Sequence, residues 1–148
     1  MPRTVMIALT AIIFGLAGHG RALAKPTETV LWSFNGADGD GPLAGLVADA
    51  RGNLYGTTDS GGANNAGTVF ELTPPARGQT QWSESLPWSF GADSDGFRPA
   101  ASLISDWRGN LYGTTAQGGA GNAGTIFEIS PYQGWPHADA TFRRRSPK

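Results

Sequence analysis

The apolar residues of this chain fall into two different patterns. Val5 to Ala17, VMIALTAIIFGLA, is an uninterrupted apolar run, whereas beyond Lys25 no stretch sustains the 3.6-residue spacing of an amphipathic helix. The chain beyond Lys25 is instead a series of short β-branched and aromatic runs separated by clusters of glycine, aspartate and asparagine, the pattern of short strands joined by turns. TETVLWSF (27–34) reads as a strand ending in the turn-rich NGADGDGP. LAGLVAD (43–49) and NLYGTT (53–58) read as a hairpin around ARG, with the glycine in a left-handed position. DSGGANNAG (59–67) is a loop, and TVFELTP (68–74) is a strand bounded by Gly67 and Pro74.

The same order then recurs as ESLPWSF, AASLISD, NLYGTT and TIFEIS. Residues 46–71 match residues 103–128 at 19 of 26 positions with a constant offset of 57, and the octet RGNLYGTT stands unchanged at 51–58 and 108–115. Pro42 pairs with Pro99 at the same offset, while WSF at 32–34 pairs with WSF at 88–90 at an offset of 56, so one residue has been added between. Identity of this length marks an internal duplication. Pro87, inside the first run of the second unit, restricts that strand to a sheet edge or a bulge. A third unit is faintly echoed in GWPHADATF (134–142).

The expected organisation is therefore a leader over 1–24, a repeat domain over 25–142 (unit one 30–86, unit two 87–142) and a basic tail over 143–148, RRRSPK. Arg3, the apolar run and the Ala22-Leu23-Ala24 ending form a secretory leader with cleavage before Lys25. The run is 13 residues long against the roughly 20 needed to cross a bilayer, so export without stable membrane insertion is expected. The product would be secreted, periplasmic or associated with the cell surface. Without cysteine, neither a lipid anchor on a thiol nor a disulfide can form, so packing or assembly must hold the fold. Residues 25–142 hold 5 basic and 12 acidic groups, while the tail holds four basic ones; an acidic body with a short solvated basic end argues against nucleic-acid binding.

Four short strands per unit suit the blades of a propeller. The fold class expected is all-β: two propeller-blade-like repeats of about 57 residues forming an incomplete or oligomer-completed β-propeller. Two units do not close a ring of the usual four to eight blades. Closure as a homo-oligomer, packing of the two units as a sandwich, and descent from a longer array all remain open.

LAGLVADARGNLYGTTDSGGANNAGTVFELTP (43–74) and AASLISDWRGNLYGTTAQGGAGNAGTIFEISP (100–131) resemble the GloVer-type tandem repeat, named after Gloeobacter and Verrucomicrobia. That resemblance implies exported bacterial proteins with propeller-like repeats, often in many copies and with variable surface-anchoring elements of the choice-of-anchor kind. It implies no catalytic residue and no ligand. Two copies and no C-terminal sorting segment depart from that pattern and favour free secretion or periplasmic residence.

Candidate chemistry is sparse. Asp38-Gly-Asp40-Gly and Asp93-Ser-Asp95-Gly are the nearest approach to a calcium loop, but position 12 from Asp38 is Asp49 and from Asp93 is Ile104, not the bidentate glutamate of an EF-hand. They read chiefly as turn aspartates, with calcium as the one cofactor to consider. Asp49 and Asp106, each just before the hairpin glycine turn, are suited to accept backbone N–H groups there. Glu71 and Glu128 are the repeated carboxylates that glycoside hydrolysis could use, yet their equivalence suggests solvent-facing edge positions. With His19 in the leader and His137 alone, a histidine-based triad or zinc site lacks material.

Trp32, Trp88, Tyr55, Tyr112, Phe70 and Phe127 recur at equivalent positions, as core residues would. Trp107 stands opposite Ala50 of the other unit, next to the turn, and is the expected exposed aromatic; with Tyr55 and Tyr112 it forms the candidate binding set. The function expected is an exported, non-catalytic structural or binding module for an extracellular glycan or protein. The alternatives are a secreted polysaccharide hydrolase and a fragment of a longer array without activity of its own.

Overall fold

The computed structural model describes residues 25–91 and 95–131. The expected leader (1–24), Asp93 and the basic tail (143–148) lie outside the described residues. All regular structure described is β: β1 (Val47–Ala48), β2 (Leu54–Thr58), β3 (Thr68–Thr73), β4 (Ser83–Ser89), β5 (Gly96–Phe97), β6 (Ile104–Ser105), β7 (Leu111–Thr115), β8 (Gln117–Gly118) and β9 (Thr125–Ile129). They form three antiparallel sheets, β1-β2-β3-β4, β6-β7-β9 and the small pair β5-β8. None of them closes on itself. Among the described residues no helix is long and apolar enough to cross a membrane.

Each unit is built by the same letters doing the same work. In the RGN turn, Gly52 and Gly109 take φ of +86° and +83°, left-handed values that cost a side-chain-bearing residue strain. Gly56 and Gly113, in the middle of β2 and β7, lie opposite Phe70 and Phe127 in the ladder. A Cβ on either glycine would run into that phenylalanine ring and into Leu46 or Leu103. At the end of the octet, Thr58 and Thr68 share a hydroxyl hydrogen bond (2.8 Å), and the Thr68 amide donates to Thr58 Oγ1 (3.1 Å). Thr115 and Thr125 repeat both bonds at 2.9 and 3.0 Å. The duplicated octet is thus architecture, with turn, glycine seat and threonine clasp in fixed order.

The fourth strand of the first sheet differs from the expected one. TETVLWSF (27–34), expected as a strand, forms none and has no ladder partner among the described residues. Its counterpart in the second unit is β4, which pairs backwards onto β3 of the first unit, so the sequence boundary between 86 and 87 passes through a strand. Pro87 behaves as its chemistry requires. β4 is an edge strand, and Leu86 and Pro87 together oppose Phe70 in a bulge between the Trp88–Val69 and Ser85–Glu71 pairs. LAGLVAD contributes only Val47 and Ala48 to its sheet.

One core serves both units. Buried Tyr55 and Val69 from the first pack with Phe90, Leu103 and Leu111 from the second, flanked by Val47, Ala66, Phe127 and Ile129. The joint also carries polar contacts: the Gly45 amide donates to Ser102 Oγ (3.0 Å), the Phe90 amide to the Gly67 carbonyl (2.9 Å) and the Arg98 amide to the Ala66 carbonyl (2.9 Å). Burial of the strong aromatics departs from expectation at Trp88, which is 45% exposed on the edge strand instead of in the core. Trp32 is half-buried.

Candidate functional site

Among the described residues, three groups contain the repeated carboxylates that the sequence singled out. The first is the hairpin turn. Asp49 Oδ1 accepts the amides of Arg51 (2.8 Å) and Asn53 (2.9 Å), while Oδ2 accepts the Asn53 side-chain amide (2.8 Å) and the Tyr55 hydroxyl (3.2 Å). Asp106 repeats this with Arg108, Asn110 and Tyr112 at 2.8 to 3.3 Å. Partial desolvation acts to raise the Asp106 pKa, but the Asn110 and Arg108 amides outweigh it and hold the carboxyl below its ordinary value. Both aspartates therefore act as the turn-fixing acceptors that their position before the glycine suggested.

The second group surrounds Glu71. The edge position expected for Glu71 is incorrect: it lies on a central strand covered by β4, is only 1% exposed, and accepts the Tyr55 hydroxyl (3.1 Å) and the Ser85 hydroxyl (3.4 Å). Burial, followed by the Glu71 and Asp49 charges, pushes the Tyr55 phenol far above its ordinary range, so this tyrosine stays a neutral donor. Glu128, the repeat equivalent, is exposed and accepts only the neighbouring Ser130 hydroxyl (2.9 Å) among the bonds described for it. Glu71 is sealed inside its sheet, whereas Glu128 is exposed on a strand whose outer edge has no partner among the described residues.

The third group is the acidic loop. Asp38 Oδ2 accepts the Trp32 indole N–H (3.1 Å) and Oδ1 the Asn35 amide (2.8 Å). Asp95 does the same for Trp88 (3.2 Å) and Gly91 (2.9 Å). Asp38 and Asp95 are thus equivalents. Asp40 instead corresponds to Phe97, since the Asp40–Ser60 bridge matches the Phe97–Gln117 pair. Sequence spacing alone hid this register, although the constant offset of 57 contains it. Among the described residues no three acidic or histidine side chains are grouped to hold a metal ion.

Of the aromatic candidates, Trp107 is 55% exposed beside the second hairpin turn, with the Arg108 guanidinium 4.5 Å from its ring centre. Tyr112 is half-buried nearby on β7, its hydroxyl bound to Asp106. Tyr55 is buried at 7% exposure and belongs to the core, so its ring is not presented with the other two. Outside the sequence-based set, the structure adds an exposed apolar strip: Ile126 on β9 is 85% exposed and lines a groove of about 540 Å³ with Trp88, Pro87 and Phe90. The signal for it was present in the repeat, because Ile126 replaces the fully buried Val69.

A search of curated proteins finds no match. The sequence pattern described as the Gloeobacter/Verrucomicrobia repeat matches residues 13–146, which takes in both units and every element described above. The chain belongs to the Gloeobacter/Verrucomicrobia repeat family.

Proposed function

We propose that this is an exported, non-catalytic repeat protein whose two units are propeller blades, acting as a structural or binding module toward an extracellular glycan or protein. The observation that carries the reading is the fate of the repeated polar residues. Asp49, Asp106, Glu71, Asp38 and Asp95 are each engaged by turn amides, phenols or indoles of their own unit, which is structural use. No cofactor is part of this reading, and Asp38 and Asp95 accept donors of their own loops.

The blade reading is supported by the contact between Gly45 and Ser102. These are equivalent positions 57 residues apart, and they touch. Equivalent residues of neighbouring modules meet when the modules are related by rotation about an axis close to those residues, as at the centre of a propeller. Export is supported by the leader-like sequence of residues 1–24.

Trp107 is the contact residue in this reading, since a half-exposed tryptophan offers a flat apolar face beside the polar turn. Binding on a glycan array, followed by an assay for released reducing sugar, tests it. Binding without turnover, weakened about tenfold in Trp107→Ala, is expected, the loss of one aromatic anchor being worth ~1.4 kcal/mol. Turnover abolished by Glu128→Gln would establish a hydrolase instead.

A further inference from the structure

The third strand of each unit's sheet, β3 and β9, has nearly the same sequence in both units and opposite environments. Val69 is fully buried and Glu71 nearly so, whereas their equivalents Ile126 and Glu128 are exposed. Two features of the joint account for the difference: β4 pairs along the outer edge of β3, and Phe90, Leu103 and Leu111 of the second unit pack with Val69, whereas no described strand pairs with the outer edge of β9. A sheet edge that bears unpaired backbone groups and an exposed isoleucine is a template for another strand.

The chain also carries the repeat equivalent of β4 and Phe90, residues 27–34, without a sheet, and its C-terminal end is held as the end of β4 is held. The Trp32–Asp38 and Trp88–Asp95 bonds measure 3.1 and 3.2 Å, and the Asn35–Asp38 and Gly91–Asp95 bonds 2.8 and 2.9 Å. Phe34 meets Phe70 edge-on at 4.9 Å and 64°, as Phe90 meets Phe127 at 5.0 Å and 66°. In the second unit this linking segment pairs with the strand of the unit before it and then packs its phenylalanine into its own unit. In the first unit the phenylalanine is packed in the same way, but the segment pairs with no described strand.

We propose that residues 27–33 of one molecule add as the fourth strand to β9 of a second copy, joining molecules head to tail through the same interface that joins the two units within a chain. The register is obtained by shifting the β3–β4 pairs by the repeat offsets: Ser33 opposite Thr125, Trp32 opposite Ile126, Thr29 opposite Glu128 and Glu28 opposite Ile129. The chemistry transfers with it. Thr29 brings to Glu128 the hydroxyl that Ser85 donates to Glu71, and Trp32 covers Ile126 as Trp88 lies against Val69. Residues 134–142 are the competing occupant, but GWPHADATF lacks the Trp-Ser-Phe triplet on which the preformed geometry depends. The interface is heterologous, so it closes into rings of about two to four chains, matching four to eight blades, or runs on as a filament. This proposal is independent of any glycan or protein ligand.

The absence of native cysteine allows a direct test in the full-length exported chain. Thr29→Cys and Glu128→Cys proteins, mixed under mild oxidation, are expected to form a heterodimeric disulfide at least about tenfold faster than Glu28→Cys mixed with Glu128→Cys, because neighbouring strand residues face opposite sides. Light scattering on the unmodified chain should give a mass that rises with concentration to a multiple of the monomer. Ile126→Lys, which places a charge on the edge, should return it to monomer. A monomeric mass at all concentrations, or crosslinking no faster than in the Glu28 control, would overturn the proposal, and is the result expected if the chain's own residues beyond 131 occupy the edge.

Discussion

Arg98 of the second unit reaches back to Asp59 of the first, its Nη2 3.0 Å from Oδ2 and its Nε 3.3 Å from both carboxylate oxygens. Arg98 occupies the position that Gly41 holds in the first unit, and both take a left-handed backbone, with φ of +62° and +67°. An arginine there carries backbone strain that glycine avoids, and the bond to Asp59 is what compensates. The hydrogen bond and the charge of Asp59 also raise the arginine's pKa. The predicted order of melting temperature is therefore native, then Arg98→Gly, then Arg98→Ala, since alanine loses the pair and keeps the strain. Arg98→Ala melting above Arg98→Gly in thermal denaturation would show that the strain is negligible.

The turn aspartate is the most heavily used polar side chain in each unit. Asp49→Ala removes acceptors for four donors and should destabilise the fold by about 1–3 kcal/mol in urea unfolding. Asp49→Asn should recover part of that loss. For Asp106, whose carboxyl is held below its ordinary value, the sign of the pH effect is fixed: the ionised form is preferred in the fold, so its contribution is present above the ordinary carboxylate range and is lost as pH falls through the lowered value. Asp106→Asn should flatten that acid limb.

Gly56 and Gly113 test whether the octet is packing or chemistry. Gly56→Ala forces a methyl into the Phe70 ring and Leu46, and the expected cost is about 1–3 kcal/mol. The paired change Gly56→Ala with Phe70→Leu should recover stability relative to the single variant. Chemical denaturation of the three variants measures the coupling.

Glu84 gives the chain a pH response of the opposite sign. One of its carboxyl oxygens is buried without a hydrogen-bond partner, and burial, with the Asp38 charge behind it, raises its pKa from 4.5 to about 7. The folded chain then binds a proton that the unfolded chain has released. Its contribution is full below about 4.5 and is lost as pH rises toward and through about 7. Glu84→Gln should be more stable than the native chain at pH 8 and little different at pH 4, as read by thermal melts across that range.

Much of each unit was legible because its causes are local. The glycine after the hairpin arginine, the aspartate before it and the proline in the fourth strand act over a few residues, and spacing alone identified the turn, its acceptor and the bulge. Glu71 and Trp88 were misread for the same reason in reverse. Equivalence within a repeat suggested a shared environment, the edge for the glutamates and the core for the tryptophans. Yet Glu71 is sealed while Glu128 is open, and Trp88 stands half exposed on an edge. The equivalence of Asp38 and Asp95 is set by the indole donors Trp32 and Trp88 and is not visible in the alternation of acidic residues.

The sequence by itself determined that there are two units, where each turns, and which glycine and aspartate make the turn, since φ and short-range hydrogen bonding depend on neighbours along the chain. Only the tertiary structure decided which copy of a duplicated residue is buried. That depends on what packs against each strand: β4, which runs across the boundary of the units, pairs along β3, and Phe90, Leu103 and Leu111 of the second unit pack with Val69, while no described strand pairs with the outer edge of β9, and solvent exclusion is a property of that packing and not of the letters themselves.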